Sequence, residues 1–176
     1  MERLGPGLLV LALAAGLIAL VLVGWRGRLR RQSGVPAPPA APAALGEERM
    51  RCEGQYVVTT TAGDWLDRVA VHGLGIRTEA TASVHGTGVL FERAGAGDLF
   101  LPREDIEGVR LESGMAGKFV EEGGLVVISW SLGGTDVDTG FRARFAAEKN
   151  ALVAAIEDLI KTAPGTGAGQ ERVSSD

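Results

Sequence analysis

From Leu4 to Trp25 no residue carries an ionisable side chain, and this run constrains the chain more than any other feature. As an α-helix it extends about 33 Å, close to the roughly 30 Å of a bilayer's hydrocarbon core. Backbone groups inside lipid find no water, so a single helix that satisfies them internally is the form available to the segment. Pro6 falls in the first turn, where a missing amide hydrogen costs little, and Trp25 falls where an interfacial aromatic belt would lie. Leu4, Leu8, Leu11, Gly16, Leu20, Val23 and Trp25 mark this anchor along its length. A cleaved signal peptide fits less well. Only Arg3 beside Glu2 precedes the run, and no small-x-small cleavage site separates it from the arginines that follow.

Those arginines set the expected orientation. Arg26, Arg28, Arg30 and Arg31 lie directly after the run, whereas Glu2 and Arg3 cancel before it. The positive-inside rule therefore predicts a single-pass protein of the plasma (inner) membrane, with a short amino terminus outside and the bulk of the chain in the cytoplasm. Beside a membrane such a cluster acts as a topology determinant and headgroup contact, worth about 1 kcal/mol per charge.

The composition divides the remainder. With residues 1–25 as the anchor, residues 26–48 form a basic and then Pro/Ala-rich linker, in which SGVPAPPAAPAALG carries Pro36, Pro38, Pro39 and Pro42. Proline at this density favours an extended, polyproline-like spacer. Residues 49–161 read as the folded domain, and residues 162–176, small and polar, as a disordered tail.

Within the domain, strands come first and one helix last. Strands are predicted at Gln55–Thr61, Ala80–Val84, Gly88–Arg93, Leu99–Leu101, Ile106–Glu112, Lys118–Glu121, Leu125–Leu132 and Val137–Phe145, separated by glycine-containing turns. Ile128, Trp130 and Leu132 share one face opposite Ser129 and Ser131, and Phe141, Ala143 and Phe145 oppose Arg142 and Arg144. The period then changes. Ala146–Lys161 contains no Gly or Pro and places Leu152, Ile156 and Leu159 at helical spacing, so it predicts an amphipathic helix stopped by Pro164 and Gly165. The fold class expected is a single N-terminal transmembrane α-helix followed by a mainly β (α+β) domain.

The motifs RVAVHGLGIR (68–77), LFLPREDIEGV (99–109), GLVVISW (124–130) and DTGFR (138–142), behind a single membrane helix and a Pro/Ala linker, carry a family resemblance. The chain resembles the actinobacterial single-pass membrane proteins with a pleckstrin-homology-like (PH-like) domain, and the excess of Arg over Lys suits such a GC-rich genome. The resemblance implies a PH-like antiparallel barrel of about seven strands capped by a C-terminal helix. It also implies a link to pyrimidine biosynthesis through neighbouring genes. The transporter label that some family members carry does not suit this chain by itself, since one helix with no polar midplane residue forms no transport path.

Charge and residue inventory restrict the function. Residues 47–162 hold 12 Lys and Arg against 19 Asp and Glu, a net of −7, which disfavours both phosphoinositides and nucleic acid. Lys118, Arg142 and Arg144 are the one candidate basic surface. No catalytic, cofactor or metal site is expected. His72 and His85 have no cysteine partner nearby, and Cys52 reads as a small buried residue. Gly114-Met115-Ala116-Gly117-Lys118 lacks the first glycine and the closing Ser/Thr of a phosphate loop and reads as a hairpin turn. Asp138-Thr139-Gly140 occurs once, without the second half an aspartic protease needs.

Two functions remain. One is a membrane-anchored, non-enzymatic binding or scaffold module that holds a cytosolic protein partner at the inner membrane. The other is an accessory subunit of a membrane complex or transporter, associating through small residues of its helix such as Ala12, Gly16 and Ala19.

Overall fold

The computed structural model describes residues 4–32, 34–115, 117–119 and 123–162. The expected tail from residue 163 onward lies outside them, as does the end of the strand expected at Lys118–Glu121. Helix α1 (Leu4–Arg31) continues beyond the apolar run, because arginine is a good helix former and Gly24 and Gly27 are isolated. Its Gly7–Gly24 stretch is long and apolar enough to cross a membrane and is nowhere buried against the rest of the chain.

Among the described residues nine strands and one α-helix follow: β1 (Glu48–Thr61), β2 (Thr78–His85), β3 (Gly88–Arg93), β4 (Leu99–Pro102), β5 (Ile106–Glu112), β6 (Gly114–Met115), β7 (Lys118–Phe119), β8 (Leu125–Leu132), β9 (Thr135–Ala143) and α2 (Ala146–Lys161). Seven of the strands form one antiparallel sheet in the order β4-β3-β2-β1-β9-β8-β5, while β6 and β7 pair only with each other. The expected barrel does not close, because β4 and β5 stand at opposite edges of the sheet and share no ladder. Pro102 ends the four-residue β4 and has no N–H to give to a further strand. The 3-10 turn Arg103–Asp105 then carries the chain away, so that β5 pairs with β8 instead.

The sheet bends at β1. Its first half pairs with β2 and its second half with β9. At the overlap stands Gly54, where any Cβ would collide with the Arg142 carbonyl oxygen and the Phe141 ring. A bulge between Tyr56 and Val58 inserts one residue into the β9 ladder. Cys52 and Tyr56 before it, and Thr59 after it, are all buried, because the extra residue restores the inward parity that a bend would otherwise lose.

Inward-pointing residues of both halves make one core, in which Tyr56, Phe91, Trp130 and Phe141 are the large side chains and Leu152, Ile156 and Leu159 of α2 complete the packing. Helix α2 lies against β1, β2, β5 and β9. A smaller cluster of Val57, Val58, Met115, Leu125 and Val127 sits on the outer face, where the β6–β7 hairpin covers β8 and β9. Phe145, expected on the inward face of β9, is instead exposed: the strand ends at Ala143, and Phe145 is the residue before α2.

Residues 34–47 hold no helix or strand, yet both ends of this stretch touch the domain. Val35 packs on the core and its carbonyl lies 2.9 Å from Nε2 of His72, and Pro36 fills the space a side chain at Gly133 would need. At the far end the Thr87 hydroxyl donates to the Leu45 carbonyl at 2.9 Å. An extended chain from residue 36 to residue 45 covers about 28 Å, roughly the length of a strand such as β2.

Candidate functional site

Three surface features qualify for a role, and each follows from how the sheet is bent and left open. The first is a groove of about 770 Å³ at the Gly54 corner. Glu53, Glu79 and Glu92 line one side and Arg142, Arg144 and Lys149 the other. Its acids have partners: Arg144 meets Glu53 at 3.0 Å, Arg51, outside the groove, meets Glu92 at 2.6 Å, and the Gln55 amide donates to Glu79 at 3.3 Å. Such exposed pairs contribute little to stability.

The groove also gathers part of the candidate basic surface. Arg142 and Arg144 lie in it together, whereas Lys118 belongs to β7 of the separate hairpin, and its side chain lies outside the described residues. Of the anchor residues, Leu8, Leu11, Leu20 and Val23 are exposed on α1, and a Cβ at Gly16 would meet nothing within 4 Å. Arg26 is exposed at the end of α1. Leu4, Trp25, Arg28, Arg30 and Arg31 are helical, with side chains outside the described residues.

A second pocket, of about 420 Å³, lies on the outer face beside the β6–β7 hairpin, with Trp65, Met115 and Val127 as its apolar wall. Its polar floor is Asp138, held by Arg110 through two hydrogen bonds of 3.2 and 2.8 Å and by the Ser129 hydroxyl at 2.6 Å. Burial works against the Asp138 carboxylate, but the hydrogen bonds from Arg110 and Ser129, with the charge of Arg110, hold it below the usual carboxylate range. The sequence reading did not find this cluster. A signal existed, since a turn centred on Gly133-Gly134 places Ser129 opposite Asp138.

The third feature is the free edge of β5. Among the described residues this strand has one hydrogen-bonded neighbour, β8, and it lies against α2. Val109 is half-buried on its inner face, and Leu111, beside it on the same face, is 40% exposed. An unpaired row of backbone groups next to partly exposed apolar side chains can accept an extended segment as a further strand.

The interior is built for structure. Trp130 Nε1 donates to Thr139 Oγ1 at 2.9 Å, Thr139 and Thr59 hydroxyls lie 2.8 Å apart, and Tyr56 OH reaches Thr59 Oγ1 at 2.8 Å and the Leu74 carbonyl at 2.7 Å. Burial pushes the Tyr56 phenol up to about 12, despite the opposing hydrogen bond from Thr59 and the Arg93 guanidinium over its ring. Cys52 is likewise pushed up, to about 11, by burial and then by Glu148. Neither group is ionised near neutrality. Among the described residues no three His, Cys, Asp or Glu side chains converge as metal ligands.

A family model described as bacterial PH domain-like matches residues 35–157, and this fold family is non-enzymatic. No curated protein matches the chain. Among solved structures, a chain of the 8S snRNP assembly intermediate is 7% identical with a TM-score of 0.49, covering 80% of this chain and 96% of that one. Vav1 bound to an allosteric inhibitor is 14% identical with a TM-score of 0.43, covering 80% of this chain and 34% of that one. At these values neither likeness bears on function.

Proposed function

Because the chain belongs to the bacterial PH domain-like family, we propose that it is a membrane-anchored, non-enzymatic binding module that holds a cytosolic protein partner at the inner membrane. The observation that carries this reading is the open sheet. β5 ends the sheet unpaired beside α2, with Leu111 partly exposed, and a partner strand added there would gain main-chain hydrogen bonds and an apolar contact. Helix α1 supplies the tether, and Arg26, Arg28, Arg30 and Arg31 at its C-terminal end favour a cytoplasmic domain. The motifs and the Arg excess favour an actinobacterial origin. The acidic domain gives no support to anionic headgroups or nucleic acid as ligands.

Proximity labelling from a carboxy-terminal fusion in intact cells tests this reading. Marked cytosolic proteins, with one of them lost on Leu111→Lys while the domain stays folded, are the expected result. Marking of extracytoplasmic proteins alone would overturn the orientation, and a pattern unchanged by Leu111→Lys would overturn the edge.

The accessory-subunit reading has an observation of its own. Gly16 lies in an open strip of α1, with nothing within 4 Å of where its Cβ would be, and with Ala12 and Ala19 it offers the small-residue approach that helices use in lipid. Loss of a membrane-protein partner on Gly16→Leu, with cytosolic labelling intact, would favour it.

A further inference from the structure

On the outer face of the sheet, side chains of neighbouring strands line up in two adjacent rows. In one, Thr60 of β1 stands opposite Asp138 of β9, which stands opposite Ser129 of β8. In the next, Val58 stands opposite Gly140, Gly140 opposite Val127, and Val127 opposite Arg110 of β5. Gly140 leaves a gap in this apolar row, and the Met115 sulfur fills it: a Cβ at Gly140 would lie 2.6 Å from Sδ. The β6–β7 hairpin is thereby seated on the sheet. With Trp65 from the β1–β2 connection it walls the polar row into the pocket of about 420 Å³, a volume within the range of sites that take small molecules.

The polar row is satisfied except at one atom. A carboxylate accepts about four hydrogen bonds, and Asp138 takes two from Arg110, one from the Ser129 hydroxyl and one from the Gly63 amide. Nothing is left for Thr60, its cross-strand neighbour. The Thr60 hydroxyl is fully buried in the pocket lining and, among the described residues, has no hydrogen-bond partner. On the inner face, by contrast, the hydroxyls of Thr59 and Thr139 are both bonded. A buried hydroxyl left unpaired is costly, and a ligand atom in the pocket removes that cost.

Charge narrows what the ligand can be. The ionisable lining is Arg110, Glu112 and Asp138, a formal excess of one negative charge. Arg110 is spent on the two acids, through Nε to Glu112 at 3.0 Å and through both Nη atoms to Asp138. An anion entering here meets two carboxylates and an engaged guanidinium. A cation meets the same acids and the Trp65 indole, the ring that attracts cations best. We infer that this pocket binds a small organic cation: an ammonium or amidinium group on an apolar or aromatic body, with the body against Met115 and Val127, the charge beside Trp65, Glu112 and Asp138, and one hydrogen bond to the Thr60 hydroxyl. The site is separate from the ladder edge of β5 and does not depend on a partner strand being added there.

The full chain, labelled with ¹³C at its methionine methyl groups, is placed in phosphatidylcholine nanodiscs and titrated with 2-phenylethylammonium, 2-phenylethanol and phenylacetate, which share an aromatic body and differ in charge. The chain has methionine at 1, 50 and 115, so Met115→Leu assigns the signal at the pocket and Met50 reports non-specific effects. The expected result is a saturable shift of the Met115 signal alone with the ammonium, an affinity about tenfold lower for the alcohol, and no saturation with the carboxylate. Thr60→Val should weaken the ammonium about tenfold without lowering the urea midpoint of the domain, because the hydroxyl has no partner to lose. Trp65→Leu should weaken the ammonium more than the alcohol. Equal affinity for ammonium and alcohol, or tighter binding of the carboxylate, would overturn the assignment of charge. No saturable shift at Met115 with any of the three would overturn the site. Binding unchanged by Thr60→Val, or a lowered midpoint in that variant, would make the hydroxyl structural and overturn its part in the site.

Discussion

Helices α1 and α2 are both rich in Ala, Leu, Ile and Val, yet they end in opposite surroundings. Along α1 the apolar residues from Leu8 to Val23 stay exposed on every side. In α2 the stripe of Leu152, Ile156 and Leu159 is fully buried, while Glu157 and Asp158 are exposed on other faces. What differs is the periodicity. A helix that is apolar on one face finds its solvent in its own sheet, and a helix that is apolar all round must find it outside the chain. The two helices therefore answer to different experiments, and substitutions that exchange their behaviour would break the comparison.

The largest effect belongs to α2. Ile156→Ala should cost the domain about 2–5 kcal/mol, the usual range for a fully buried aliphatic side chain that leaves a cavity, read as a lower midpoint in urea unfolding. The matching change in α1, Leu13→Ala, should leave that midpoint where it was. Leu13→Arg reverses the contrast. It should raise the cost of insertion by about 2.5–3.5 kcal/mol and move the chain from the membrane fraction to the soluble one, with the unfolding midpoint unchanged. If Leu13→Arg destabilises the domain, α1 packs against it and the contrast fails.

A smaller effect is expected at Asp138. Its folded pKa is depressed, so the stability it contributes is present above the unfolded value of about 3.9 and is lost as pH falls through the folded value. Because Arg110 is itself 44% exposed, that contribution is about 1 kcal/mol. Asp138→Asn should therefore lower stability at pH 7 and flatten the decline below pH 4, measured as the urea midpoint against pH.

At Cys52 the effect is absent near neutrality and lies on the alkaline side. Its folded pKa is raised to about 11, so the unfolded thiol ionises first and stability should fall as pH rises from about 8.5 towards 11. At pH 8 the thiol should resist an aromatic disulfide reagent until urea unfolds the domain. Rapid reaction in the folded protein would place Cys52 at the surface.

The same contrast between periodic and aperiodic signals explains what the sequence revealed. The bounds of β5, β8 and α2 could be read residue for residue, because an apolar, β-branched run or a helical stripe in each is closed by turn residues. The beginning of β1 could not. Glu48 to Gly54 is polar and interrupted by a glycine, and it becomes a strand only by pairing with β2. Closure of the sheet was also beyond local pattern, since it depends on which partner β5 takes after Pro102. The Arg110–Asp138–Ser129 cluster needs three strands in register, of which only the β8–β9 register follows from a turn. The attachment of Val35 to His72 leaves no periodic mark at all, and a Pro/Ala-rich composition reads as a spacer whether or not its ends are tied.

The central claim is that α1 remains in the mature protein as a membrane anchor. It is tested most directly by intact mass spectrometry of the chain recovered from the membrane pellet after alkaline carbonate extraction. The account predicts that the protein stays in the pellet with a mass that includes residues 4–25. A protein released to the supernatant, or one whose mass shows cleavage after the apolar run, would contradict it.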